Sequence, residues 1–289
     1  MSSSTISWLA FVGQQITIYT GIFTLIGGIL GELLNILVFL SLRTFRQSSC
    51  AFYLTSMSVV SVGQLLTGLL SRVIVAGFYI DWTQTSLVYC KLRTYGVLTC
   101  TLIALSCLCL AVIDQYFATC SCLPWRQWSN IELARRLLII NVLIWMIYNI
   151  PFILYYNQTV STTTGKVSCL ITNDVFQQYA TYGTFLTFGR IVPIVITFFF
   201  GLLVYRNMRQ LAHRAVPLIR RELDKQLTVM VLVQVIVTFF TNVPYIIVYI
   251  LLLIPNLIKD PFVLAKLQLA NNLATCLYYM NFGVSIYWL

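Results

Sequence analysis

Charge is the scarcest property of this sequence: only 9% of its 289 residues are Asp, Glu, Lys or Arg, where a soluble domain carries roughly 25%. So few charges cannot coat a water-facing surface, which excludes a soluble globular fold. Histidine is scarcer still. The one histidine, His213, lies in a basic segment with no second histidine or acidic cluster to complete a metal site. The same shortage leaves no argument for a Ser-His-Asp set, and no glycine-rich phosphate loop occurs. We therefore expect no enzyme, no catalytic residue and no cofactor. The period-two alternation of a membrane barrel is missing as well. Residues 1–7 lack the basic leader of a cleavable signal, and the first apolar run is long enough to stay as a span.

What fills the chain instead is apolar. Hydrophobic residues make up 59% of it and aromatics 14%, and mean hydropathy is +0.87. A bilayer core of about 30 Å is crossed by roughly 20 apolar helical residues. Runs of that kind occur at 17–42, 51–78, 88–113, 134–156, 181–205, 228–254 and 264–288. The expectation is an all-α membrane protein, a seven-transmembrane helix bundle forming one domain over residues 1–289. Asn271, Asn272 and Asn281 interrupt the last run, and such side chains turn toward neighbouring helices rather than lipid.

The formal net charge of +10 orients the bundle. One set of loops holds Arg43, Arg46, Arg126, Arg135, Arg136, Arg206, Arg209, Arg214, Arg220, Arg221 and Lys225; the other holds Lys91, Arg93, Lys166, Lys259 and Lys266. Eleven against five place the first set in the cytoplasm and the N-terminus outside. Split among short loops, this charge is a topology signal rather than a nucleic-acid surface. The basic segment between spans five and six suits an acidic partner or anionic membrane lipids. On the opposite side, Asn157-Gln158-Thr159 reads as a glycosylation acceptor. Cys90 and Cys169 also face that side, where a disulfide can persist. Cys100, Cys107 and Cys109 read as small packing residues within a span.

Seven spans, an outside N-terminus and those two cysteines resemble the rhodopsin-like (class A) G-protein-coupled receptors, in a divergent, peptide-receptor-like form. The resemblance covers the whole chain: Trp82, Trp145, Pro193 and Pro244 fall in the expected order. In that family the span-three cysteine bridges to the second outer loop, which implies a Cys90–Cys169 disulfide. The triplet at the foot of span three follows twenty-five residues later, and Asp114-Gln115-Tyr116 stands there without a gap. The resemblance implies a plasma-membrane receptor for an extracellular ligand, coupled to a heterotrimeric G-protein by outward movement of span six about Pro244. Other readings are a non-signalling or decayed seven-span protein, or a membrane transporter; no inverted internal repeat favours the last.

Several positions depart from the family pattern. The triplet carries Gln115 where an arginine is usual. Asp224, twenty residues before Pro244, keeps the acid at the foot of span six. An amide can still donate to Asp224 but cannot form a charge-assisted bidentate pair, so the resting latch is expected to be weaker. Span one has Glu32 in place of an asparagine, and span two has Ser61 in place of an aspartate. An acid inside a bilayer marks a functional candidate. Glu32 is therefore expected to supply the interior carboxylate of a weak sodium site, bonded to Ser61 and to Asn281 or Ser285. Asn242 replaces the usual span-six tryptophan. Span seven ends with Asn281 and Tyr287 six residues apart, two more than the family's Asn-Pro-x-x-Tyr spacing. The sequence stops at Leu289, so we expect no eighth helix or C-terminal tail.

Candidate ligand contacts are Arg72, Arg93, Arg190, Tyr249, Gln268 and Asn272, all in the outer halves of spans. Val97 stands where amine receptors place an acid, which argues against a biogenic amine. Interior arginines with no acid nearby suit a carboxylate, because the guanidinium fork matches planar bidentate partners. The expected ligand is a peptide or an anionic small molecule.

Overall fold

The computed structural model describes residues 3–120, 123–160, 167–211, 218–255, 257, 259 and 260–283. It is built of long helices: α1 (Ser3–Ser41), α2 (Ser49–Phe78), α3 (Leu87–Thr119), α4 (Ile131–Tyr155), α5 (Asp174–Gln210), α6 (Leu218–Leu252) and α7 (Pro261–Met280). Local sequence sets where they start. Ser48, Ser86, Asn130, Asn173 and Asp260 each accept a backbone N–H of the first turn of α2, α3, α4, α5 and α7. Pro261 sits just inside the start of α7, where its missing N–H costs nothing.

Among the described residues, six helices are long and apolar enough to cross a membrane. The helix α7 has the length, but Lys266, Gln268, Asn271 and Asn272 lower its hydropathy. Burial then ranks the helices: 67% of the most apolar window of α3 is buried, against 11% for α4. Accordingly α3 is the central post and α4 packs at the edge.

The structure corrects the sequence boundaries in three places. Helix α1 begins at Ser3 rather than near residue 17, because Gln14 and Gln15 interrupt the apolar pattern without breaking the helix. Helix α7 ends at Met280 and residues 281–283 form turns, so the expected run to 288 is not helical throughout. The all-α expectation also missed a hairpin. Strands β1 (Tyr156–Val160) and β2 (Val167–Ile171) pair antiparallel, with Gln158 opposite Cys169. The Cys90–Cys169 disulfide, Cα atoms 5.9 Å apart, pins this hairpin to the start of α3. Gln158 Nε2 adds a 2.7 Å hydrogen bond to the Thr83 carbonyl.

Helix α1 meets the turn that follows α7 through backbone. A Cβ on Gly283 would stand 2.9 Å from Gly28 Cα, and one on Gly28 would stand 2.8 Å from Leu65 Cδ1. Both glycines are required for that approach. Gly77 is different, since a Cβ there meets nothing nearer than 3.9 Å. Gly283→Ala should destabilise the purified protein by about 1–3 kcal/mol, the usual cost of overpacking. Gly77→Ala should be neutral or stabilising by up to about 1 kcal/mol. Thermal unfolding in detergent tests the pair; equal midpoints would contradict the close approach.

Candidate functional site

Helices α2, α3, α5, α6 and α7 line a cavity of ≈ 130 Å³. Its polar lining comes from Gln64 and Arg72 on α2, Thr101 on α3, Arg190 on α5, and Tyr245, Tyr278 and Tyr279 on α6 and α7. Two widened helical segments produce this lining. Residues eight apart in a regular α-helix are about 80° out of register, yet Gln64 and Arg72 line one cavity. The π turn Leu65–Leu69 between them advances less per residue and brings them back to one face. A second π segment, Tyr179–Ile191, carries Arg190. The ring of Tyr279 reaches over Gly68, where a Cβ would stand 2.7 Å from its hydroxyl.

Arg190 dominates the electrostatics. It is only 8% exposed, and its guanidinium lies 4.6 Å from the Tyr245 ring centroid and 4.1 Å from that of Tyr278. Such contacts reach about 2 kcal/mol or more when desolvated. One terminal nitrogen donates to the Gly189 carbonyl at 2.8 Å, while Nε donates to nothing among the described residues. No carboxylate pairs with it there. The chain has eight acids in all, and the nearest on α6, Asp224, lies twenty-one residues before Tyr245, about 30 Å along the helix. Gln64 is wholly buried, and neither its amide nitrogen nor its oxygen has a partner among the described residues. Because both ends are unbonded, that statement survives any flip of the amide.

The other arginines are tied down. Arg72 donates to Asn272 Oδ1 at 2.9 Å, joining α2 to α7, and Arg93 Nε donates to Ser71 Oγ at 2.6 Å, joining α3 to α2. Tyr249 stacks on Tyr245, centroids 6.2 Å apart, one turn outward of the cavity. Gln268 is exposed and is not among the residues that line this cavity. Reasoning from sequence also missed Gln64, Tyr278 and Tyr279. A glutamine embedded in an apolar run was the available signal.

Deeper in the bundle lies a second polar group. Glu32 and Ser61 are both 0% exposed. The expected Glu32–Ser61 bond is not formed, for the Ser61 hydroxyl has no partner among the described residues. Asn281 does not bond to that pair; its Oδ1 accepts from the hydroxyl of Thr238 at 2.8 Å and from Gln234 at 3.5 Å, which draws it toward α6. One turn outward, Asn242 Nδ2 donates to the Thr238 carbonyl at 2.8 Å, beside Pro244.

At the far end of α3, Asp114 is buried and accepts the Ser49 hydroxyl, shared between its two oxygens at 2.8 and 2.7 Å. Ser49 also lies 3.1 Å from Ser129 Oγ, so this contact joins α2, α3 and the loop before α4. Gln115 is 2% exposed, and its Oε1 accepts from Thr228 Oγ1 of α6 at 3.3 Å. That distance is long for a hydroxyl donor, so the α3–α6 tie is weak. Tyr116 packs on Phe200 of α5, centroids 5.6 Å apart. The Asp224 side chain and Tyr287 lie outside the described residues.

Comparison with known families follows this geometry. The sequence model of the family described as 7 transmembrane receptor (rhodopsin family) matches residues 31–284. The chain belongs to that family. A search of curated proteins finds no match. Family membership makes this a multi-pass membrane protein of G-protein-coupled signalling, with an extracellular ligand and a G-protein as partners, in a family that is generally non-enzymatic.

A hydrogen bond to a charged group contributes about 1.5–3 kcal/mol. Ser49→Ala should therefore lower stability by about 1.5 kcal/mol, read as a reduced thermal midpoint of the purified receptor. An unchanged midpoint would show that Asp114 holds its place through its other contacts.

Proposed function

We propose that this rhodopsin-family receptor resides in the plasma membrane as seven spans, N-terminus outside, with α7 as the seventh. It takes a peptide or anionic small molecule into the cavity around Arg190 and passes the signal to a heterotrimeric G-protein by outward movement of α6. The observation that carries this reading is a buried guanidinium with no acid to neutralise it among the described residues, in the cavity where five helices converge. Arg72 and Arg93 add positive charge on α2 and α3, Arg72 bonded to Asn272, while Tyr249 stacks on Tyr245. The basic inner loops and the Cys90–Cys169 disulfide support the orientation. Asn157, on the hairpin, would then be available for glycosylation.

Arg190 bridges α5 to Tyr245, the residue after Pro244, and to Tyr278 on α7. A ligand that draws the guanidinium toward itself changes that bridge next to the one proline inside α6. At the inner end, Thr228 of α6 donates a long bond to Gln115, and Asp224 stands one turn earlier on the same helix. Asp114, Gln115 and Tyr116 thus form the switch at the foot of α3, with Asp224 and Tyr287 as its partners. Glu32 and Ser61 remain a proposed interior sodium site, now without a direct bond between them.

Gln115→Arg restores a cation that can pair bidentately with an acid at the foot of α6, so it should lower basal activity. Each 1.4 kcal/mol of added latch changes the population about tenfold. The measurement is nucleotide exchange on a panel of heterotrimers in membranes holding each form at equal surface density. The natural sequence is expected to exceed mock membranes, and Gln115→Arg to fall below it. Silence from the natural sequence with activity from the arginine form would instead favour the non-signalling reading.

A further inference from the structure

The unbonded groups of the cavity define its ligand more narrowly than charge alone. Arg190 Nε is a buried donor and Gln64 is a buried donor and acceptor, all without partners among the described residues. Both side chains line the same cavity and descend from opposite walls, α2 and α5. The rest of the lining is Arg72, tied to Asn272, with glycine and aromatic, aliphatic or hydroxyl-bearing side chains. A buried polar atom left unbonded costs about 1–3 kcal/mol, so an occupant that bonds all three is strongly selected. A bare carboxylate satisfies the Arg190 donor and the Gln64 nitrogen but offers nothing to Gln64 Oε1. That oxygen asks for an O–H or N–H close to the acid.

We propose that the Arg190–Gln64 cavity binds a carboxylate whose α-carbon carries a hydrogen-bond donor. Two sources share this chemistry: a free 2-hydroxy or N-acyl amino acid, and the C-terminal residue of a peptide, whose amide N–H sits on the α-carbon beside the carboxylate. Size agrees with either. An apolar cavity of about 150 Å³ holds a benzene molecule, and the ≈ 130 Å³ here accepts one small acid or one terminal residue. The carboxylate lies against Arg190 and the Gln64 amide nitrogen, and the donor faces Gln64 Oε1. Tyr245 and Tyr278, ring centroids 5.4 Å apart, both lie against the guanidinium and restrict its direction before the ligand arrives. This rests on the receptor reading only for the side from which the ligand enters.

The test uses the full chain, purified and reconstituted in lipid nanodiscs, with binding read by calorimetry at up to millimolar probe. The probes are N-acetylglycine, 2-hydroxypropanoate, propanoate, N-acetylglycinamide, and a triglycine peptide with a free or an amidated C-terminus. The expected order has the donor-bearing acids about tenfold tighter than propanoate, with no binding of either amide. Arg190→Gln and Arg190→Lys should each weaken the acids about tenfold or more, the second keeping the charge but losing the fork. Gln64→Leu should bring 2-hydroxypropanoate down to the affinity of propanoate. A tighter free-acid peptide than N-acetylglycine assigns the peptide source, and equal or weaker peptide binding assigns the small acid. The proposal is overturned if the folded natural protein binds none of the acids, if an amide binds as well as its acid, or if Arg190→Lys and Gln64→Leu leave all affinities unchanged. Nucleotide exchange measured on the same nanodiscs separates the two readings. Exchange without acid binding removes the ligand class alone, whereas acid binding without exchange removes the signalling.

Discussion

The guanidinium of Arg190, buried against two tyrosine rings with no acid beside it among the described residues, is the constraint around which the rest of the molecule is arranged. An isolated charge in a low-dielectric interior is expensive. Here the ring faces of Tyr245 and Tyr278 and the Gly189 carbonyl offset part of that cost. The wide segment of α5 places the residue inward, and Tyr278 is held in turn by its 3.1 Å contact with Thr101 on α3. One side chain thereby links α5, α6 and α7 to the central helix. Removing it would loosen the bundle and empty the cavity of its charge together.

The interior divides into three polar levels along α3 and its neighbours. The outer level is the Arg190–Gln64 cavity, the middle one joins Asn281 to Thr238 and Gln234, and the inner one joins Asp114 to Ser49 and Gln115 to Thr228. Helix α6 takes part in all three. Its contacts include a cation–π pair at one end and a long hydroxyl bond at the other, while α1 meets the turn after α7 through backbone at Gly28 and Gly283.

Much of the fold was legible in the sequence because the bilayer imposes a length on each helix. Runs of apolar residues gave the helices, whereas the serine, asparagine or aspartate that caps five of them was seen only in the structure. Boundaries were less legible: the glutamines of α1 interrupt an apolar pattern but keep helical geometry, and nothing in the pattern marks the hairpin at 156–171. The candidate arginines were found because charge inside a span stands out. Their partners were not. Whether Arg72 meets an acid or Asn272, and whether Glu32 meets Ser61, depends on helix rotation, which the π turns alter and residue counting cannot follow. Gln268 shows the same limit, pointing outward from α7 although its neighbours line the interior face.

The central claim is that no described residue supplies a counter-charge for Arg190 and that an external acid does. A cryo-electron-microscopy map of the nanodisc-bound receptor with millimolar N-acetylglycine tests it directly. The account predicts added density bridging the Arg190 guanidinium and the Gln64 amide, absent from the same sample without the acid. A map in which Arg190 instead contacts a carboxylate of the chain, or in which the two samples show identical density there, would contradict it.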